Sequence, residues 1–229
     1  MHPGLSSRYD FECIPCHSNR ARYDWSSDSY IPIRSGLVQD SHIRENPLRL
    51  FFALALPDLV KSEIAKLSAA IDHVRWIPVT NLHMTLQFMG ILDEGQLDAV
   101  QQAAAKIQSP EFSLTLYQVG SFPSPTRTSV FWVGVGASDE LIALHQTLFN
   151  SLSSLDLGLE DRKFAPHITV GRTKRRLKID ARSWLAEHLL FESDPFNISA
   201  FHLFSSELRP SGAVYRVVAS YPLVEQRIV

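Results

Sequence analysis

The sequence predicts an α+β fold built as a duplicated module of two related lobes, with helices on the outside. Three observations predict it. Strand-like and helix-like segments alternate as strand, helix, strand, helix, strand before residue 122, and a similar order begins again near residue 129. Each half holds a strand with the same local spelling, His83-Met84-Thr85-Leu86 and His167-Ile168-Thr169-Val170, 84 residues apart. Of the 229 residues, 45% are hydrophobic, enough for a sizeable core.

Regular structure begins at Pro47. Residues 48–56 are a nearly continuous apolar run, as a buried strand requires. Pro57 and Asp58 open a helix predicted to reach residue 72, with Leu59, Ile64, Leu67 and Ile71 on its apolar face. After a turn region at Trp76-Ile77-Pro78, residues 82–89 read as a strand ending at Gly90. Residues 93–107 give the next helix, with Leu97, Val100, Ala104 and Ile107 at helical spacing. Strands at 112–119 and 129–135 follow, and Ser138 or Asp139 caps a helix to about residue 155. A strand at 166–171, a helix near 180–190 and closing strands at 196–204 and 214–220 complete the pattern.

Residues 1–46 read differently. They carry eight Ser, five Arg against six acids and almost no apolar periodicity, so a disordered extension is expected there and the working domain over residues 47–229. Cys13-Ile14-Pro15-Cys16-His17 has the spelling of a c-type haem attachment site, but no haem pocket or second axial ligand accompanies it, and a bystander cysteine pair is expected. Two cysteines this close cannot staple the fold. No cofactor and no metal are expected. The longest apolar run is far short of the ~20 residues of a spanning helix, and no basic start followed by an apolar stretch opens the chain. A cytoplasmic protein with no membrane partner is the expectation. A net charge of −2 argues against a wholly basic nucleic-acid coat and leaves room for a local basic patch.

The chemistry lies in the repeated His-x-Thr. With nine His and eight Thr in the chain, the bare pattern is expected by chance ~0.3 times, yet it occurs three times. His145-Gln146-Thr147 lies on a helix with a polar middle residue and shows how cheap the bare pattern is. The other two lie on strands, where residues two apart share a face. His83 and Thr85 therefore project together, as do His167 and Thr169, while Met84, Leu86, Ile168 and Val170 point into a core. Two imidazoles titrating near neutrality supply an acid and a base, and two hydroxyls bind oxygens of an anion held between them. Either histidine alone reads most simply as structural. The matched pair reads as phosphate chemistry.

In these residues the sequence resembles the two-histidine (2H) phosphoesterase superfamily, and within it the bacterial and archaeal RNA 2',3'-cyclic phosphodiesterases, also called 2'-5' RNA ligases. The resemblance spans about residues 48–224 and rests on four blocks: Arg49-Leu50-Phe51-Phe52-Ala53; Trp76-Ile77-Pro78 leading into Asn81-Leu82-His83-Met84-Thr85-Leu86-Gln87-Phe88-Met89-Gly90; Phe164-Ala165-Pro166-His167-Ile168-Thr169-Val170-Gly171-Arg172; and Ser206-Glu207-Leu208-Arg209-Pro210-Ser211-Gly212-Ala213-Val214-Tyr215. It implies two antiparallel sheets flanking a central cleft and opening of a terminal 2',3'-cyclic phosphate on RNA to a 2'-phosphate. Some members also join such an end to a 5'-hydroxyl. It implies His83 and His167 as the acid–base pair and Thr85 and Thr169 as phosphate ligands; His167 as base and His83 as acid is the working split, on a symmetric pair of motifs that does not itself fix it. It further implies Phe88 stacking on the terminal base and Arg172 reaching the phosphate.

Strict alternation puts Phe88 and Arg172 on the face away from the histidines, because five is odd. They reach the cleft only through a bulge. Gly171 would permit one; no glycine precedes Phe88, which is therefore either core or a stacking residue. Arg172 begins a run of six cations in eleven residues, through Lys174, Arg175, Arg176, Lys178 and Arg182, which is expected to follow an RNA backbone. His73, His145, His188 and His202 are expected to be structural or surface residues, and Tyr215 and Gly212 to belong to hairpin packing. The expected enzyme is a monomer. Two other readings are a non-catalytic module binding RNA ends or nucleotides, and a cyclic phosphodiesterase for small nucleotides.

Overall fold

In the computed structural model, residues 49–159, 163–174, 177–209 and 212–225 are described. The predicted extension, with Cys13 and Cys16, lies outside them, as do Arg175 and Arg176. Ten strands are β1 (Arg49–Ala55), β2 (Val74–Trp76), β3 (His83–Ile91), β4 (Phe112–Leu114), β5 (Leu116–Phe122), β6 (Val130–Val135), β7 (His167–Thr173), β8 (Phe196–Ile198), β9 (Ala200–Arg209) and β10 (Gly212–Pro222). Four α-helices are α1 (Asp58–Ala65), α2 (Glu94–Ala104), α3 (Asp139–Ser153) and α4 (Arg182–Glu187). The class is α+β with antiparallel pairing throughout the ladders.

The strands run in the order β10-β9-β1-β3-β7-β6-β5, with β2 also on β7 and with β4 and β8 forming a separate pair. In place of two separate sheets, one ladder connects two groups of four strands through a single residue pair, Met84 with Ile168. The groups do not follow chain order. β2, from the first half of the sequence, pairs with β7, whereas β9 and β10, from its end, pair onto β1.

One face of the sheet is the core. Phe52, Leu54, Met84, Leu86, Phe131, Val133, Ile168 and Leu203 pack with Ile64, Val100, Leu144, Leu148 and Trp184 from the four helices. α2 starts in a capping box between Asp93 and Gln96, and α3 is capped by the Ser138 hydroxyl accepting from the Leu141 amide. Each such cap contributes about 1 kcal/mol.

Departures from the expected boundaries have local causes. α1 stops at Ala65 rather than residue 72, because the Trp184 and Trp76 indole N–H groups bond the Leu67 and Ala69 carbonyls. The predicted strands at 112–119 and 196–204 each break in two, at Thr115 and Ser199, whose carbonyls accept from Gly136 and Leu223. β2 forms just before the expected turn at Trp76-Ile77-Pro78 and shares Trp76 with it; three residues are too few to show alternation. No helix among the described residues is long and apolar enough to cross a membrane.

Candidate active site

The seam between β3 and β7 organises the site. Continuing the antiparallel register of the Met84–Ile168 pair sets His83 opposite Thr169 and Thr85 opposite His167. All four lie on the face away from the buried Met84 and Ile168. The ladder is one pair wide for a covalent reason and a hydrogen-bonding one. Pro166, next in line opposite Leu86, has no N–H to give. On the other side the Val170 carbonyl already accepts from Ile77, and the Leu82 amide donates into the 3₁₀ turn at Val79–Asn81.

β3 and β7 then make the same irregularity. Ala53 pairs with Thr85 and Phe52 with Gln87, leaving Leu86 as an extra residue. Trp132 pairs with Thr169 and Phe131 with Gly171, leaving Val170 as its counterpart. Each bulge sits three residues after its histidine and reverses the alternation. Phe88 consequently shares the histidine face, opposite Phe51, and is 45% exposed rather than core. Arg172 shares it too, opposite Val130 and Arg75. Gly171 is not what permits the turn, since β3 bulges without a glycine. A Cβ there would come 2.9 Å from the Trp76 ring, so Gly171 makes room for β2.

The two imidazoles are held alike. His83 Nδ1–H donates to the Asn81 carbonyl at 2.7 Å, and His167 Nδ1–H to the Ala165 carbonyl at 2.8 Å. A carbonyl only accepts, so each proton is fixed on Nδ1 and each neutral ring keeps an unprotonated Nε2. Burial lowers both pKa values below the ordinary 6.5; the carbonyls push upward, and the Arg172 guanidinium lowers both. His83 is lowered further by His167. Arg172 therefore projects a fixed positive charge onto both rings. Arg75 stands directly opposite it on β2, and neither forms an ion pair with a described residue. Like charges on paired strands repel unless an anion lies between them.

Aromatic rings close the flanks. His83 contacts Phe51 at 4.9 Å and Tyr215 at 5.0 Å, while His167 meets Phe122 edge-on at 5.4 Å and Trp132 at 6.4 Å. Tyr215, expected to serve hairpin packing, lies against His83, and its hydroxyl feels the Arg172 charge. Asn81 links two parts: its carbonyl holds His83 and its amide donates to the Ala213 carbonyl of the β9–β10 hairpin at 2.8 Å. Asn81 and Tyr215 fall inside the resembling blocks and Arg75 outside them, but the sequence assigns none of the three a role at the site; the hydrogen bonds, ring contacts and strand pairing reveal them. His145 instead stacks on Phe164 at 3.8 Å, and Arg182 is paired with Asp180. Among the described residues no group of three or more His, Cys, Asp or Glu comes together as a metal site.

An antiparallel sheet presenting two bulged His-x-Thr strands on one face, with the Arg172 guanidinium beside both histidines, is the architecture of a two-histidine phosphoesterase. Residues 56–209 match the 2'-5' RNA ligase superfamily, and the chain belongs to it. It is 32% identical over 177 residues to the RNA 2',3'-cyclic phosphodiesterase of Thermotoga maritima, covering 75% of this chain and 93% of that one. Among solved structures, it superposes on Thermus thermophilus TT0787 with a TM-score of 0.66 at 23% identity, over 78% of this chain and all of that one. E. coli LigT complexed with 3'-AMP gives a TM-score of 0.64 at 27% identity, over 78% and 99% of the two chains.

Proposed function

We propose that this chain is a metal-independent phosphodiesterase that opens the 2',3'-cyclic phosphate at the end of an RNA, leaving a 2'-phosphate and a free 3'-hydroxyl. The observation that carries the reading is the matched tethering of the two histidines, each with Nδ1 bonded to the carbonyl two residues back and Nε2 left for a reactant. In this mechanism neutral His167 takes a proton from water through Nε2 as the water oxygen bonds to phosphorus. The P–O3' bond breaks, and His83, doubly protonated, gives its Nε2 proton to the departing oxygen. Thr85 and Thr169 donate to the non-bridging oxygens, and Arg172 offsets their charge. Phe88 stacks on the terminal base. Both histidines come from one chain, so a monomer suffices. An RNA 5'-hydroxyl replacing water would give a 2'-5' linkage by the same steps. On this reading the two groups of four strands are the lobes of a duplicated module that exchange strands.

The names of the relatives support this reading, and a cyclic phosphodiesterase is its firmest part. The test is incubation of an oligonucleotide ending in a 2',3'-cyclic phosphate with the protein in EDTA at neutral pH, followed by end-group analysis. A 2'-phosphate product is expected. An unopened ring, a 3'-phosphate, or binding without product would overturn the proposal.

A further inference from the structure

The histidine face of β9 and β10 carries a third imidazole that the mechanism does not use. In register across the sheet, Thr85 lies beside Ala53, Ala53 beside His202, and His202 beside Ser220. A second row, Phe88, Phe51, Phe204 and Val217, runs next to it. His202 is therefore two strand spacings from the phosphate-binding threonine, ~10 Å along the sheet. It is not an ordinary surface histidine. It is half-buried, its Nδ1 is 2.9 Å from the Ser220 hydroxyl, and its ring stands edge-on to Phe204 at 5.9 Å. Phe204 stacks on Phe51 at 5.4 Å, and Phe51 touches His83, so ring contacts run unbroken from His83 to His202.

The row beside His202 ends in an exposed apolar side chain, Val217, which is 53% exposed on the edge strand. No described residue bonds His202 Nε2. In the tautomer in which the Ser220 hydroxyl donates to Nδ1, Nε2 carries the proton and is a donor next to an apolar floor. A donor beside a flat apolar surface, one nucleotide's reach from a phosphate site, suits the next unit of a polynucleotide. We infer that β9 and β10 form a second subsite for the nucleotide preceding the cyclic end. His202 Nε2 donates to the phosphodiester joining the two nucleotides, and Phe204 and Val217 bear on the upstream sugar and base. The inference rests on the proposed activity and adds a preference for oligonucleotides over mononucleotides.

The test compares a 2',3'-cyclic mononucleotide with a dinucleotide carrying the same cyclic end. The wild-type kcat/KM for the dinucleotide is expected to exceed that for the mononucleotide ~10-fold, the worth of one hydrogen bond to a charged group. In His202→Ala that ratio falls to near one, through KM. Ser220→Ala lowers it in part, and His202→Gln, which keeps a donor, restores part of it. A dinucleotide with an uncharged methylphosphonate linkage behaves like the mononucleotide. An unchanged ratio in His202→Ala, or an equal advantage for the methylphosphonate, overturns the subsite. Calorimetric binding of a dinucleoside and a mononucleoside 2'-phosphate reads the same preference without turnover. If neither cyclic substrate is opened while that binding preference persists, the proposed activity fails and the subsite stands.

Discussion

The two halves of the sheet share a backbone device and differ in what they hang on it. Along β3 and β7 the first six residues alternate in burial identically, and a bulge three residues after the histidine turns the sixth side chain to the cleft. On β3 that side chain is Phe88, opposite Phe51, which in turn packs on Phe204 and Tyr215. On β7 it is Arg172, opposite Arg75. A single geometry thus presents an apolar, ring-lined wall on one side and a cationic wall on the other. A nucleotide end has the same division, a flat base and an anionic phosphate. On the proposed function, the halves differ because one device has to grip both.

The largest expected effects break the symmetric part. His83→Ala and His167→Ala should each lower kcat by ~10²–10⁴-fold, and the double variant should lose little more than the worse single one. A substrate with a 3'-thiolate leaving group, which needs less protonation, should rescue His83→Ala and not His167→Ala; the reverse pattern would exchange the two roles. Next is the cationic wall. Arg172→Met should cost ~10–10²-fold in kcat/KM, the loss of about 1.5–3 kcal/mol from charged hydrogen bonds. It should also raise both imidazole pKa values, since Arg172 lowers them, as NMR titration would reveal. Phe88→Ala tests the opposite wall: ~5–100-fold in KM for stacking worth about 1–3 kcal/mol, with no effect on a substrate lacking the terminal base. Asn81→Ala, which cuts the hairpin tie and spares the carbonyl holding His83, should cost about 1 kcal/mol of stability or a few-fold in kcat.

The pH dependence follows from the same charges. The proposed mechanism needs one imidazole neutral and one protonated, and both are lowered below 6.5. The bell-shaped kcat/KM profile should therefore centre on the acid side of 6.5. Bound phosphodiester offsets Arg172 and raises both values, so the kcat profile should lie at higher pH. Stability runs the same way. Below 6.5 the unfolded chain binds protons that the folded imidazoles resist, so stability should be full above that pH and fall as pH drops through the lowered values. Coincident kcat and kcat/KM profiles would remove Arg172 from this account.

The histidines, the threonines and most of the element order are legible in the sequence because they express a two-residue period and local helix signals. What is not legible depends on long-range pairing. Strict alternation sends Phe88 and Arg172 the wrong way, because a bulge is an agreement between two strands and leaves no mark on one. Arg75 matters only through its place opposite Arg172, and Tyr215 only through the fold of β10 over His83. The exchange of β2 and β9–β10 between the halves is invisible for the same reason: repeat order suggests that each half closes on itself.

That exchange also bears on how the chain folds. β1 needs β9 for one of its two ladders, and β9 begins about 150 residues later in the chain. Until then Phe51 and Phe52 have a strand partner on one side only. The first half of the chain cannot complete its sheet until β9 is available, and a fragment ending before Ala200 should be insoluble, however intact its own histidine motif.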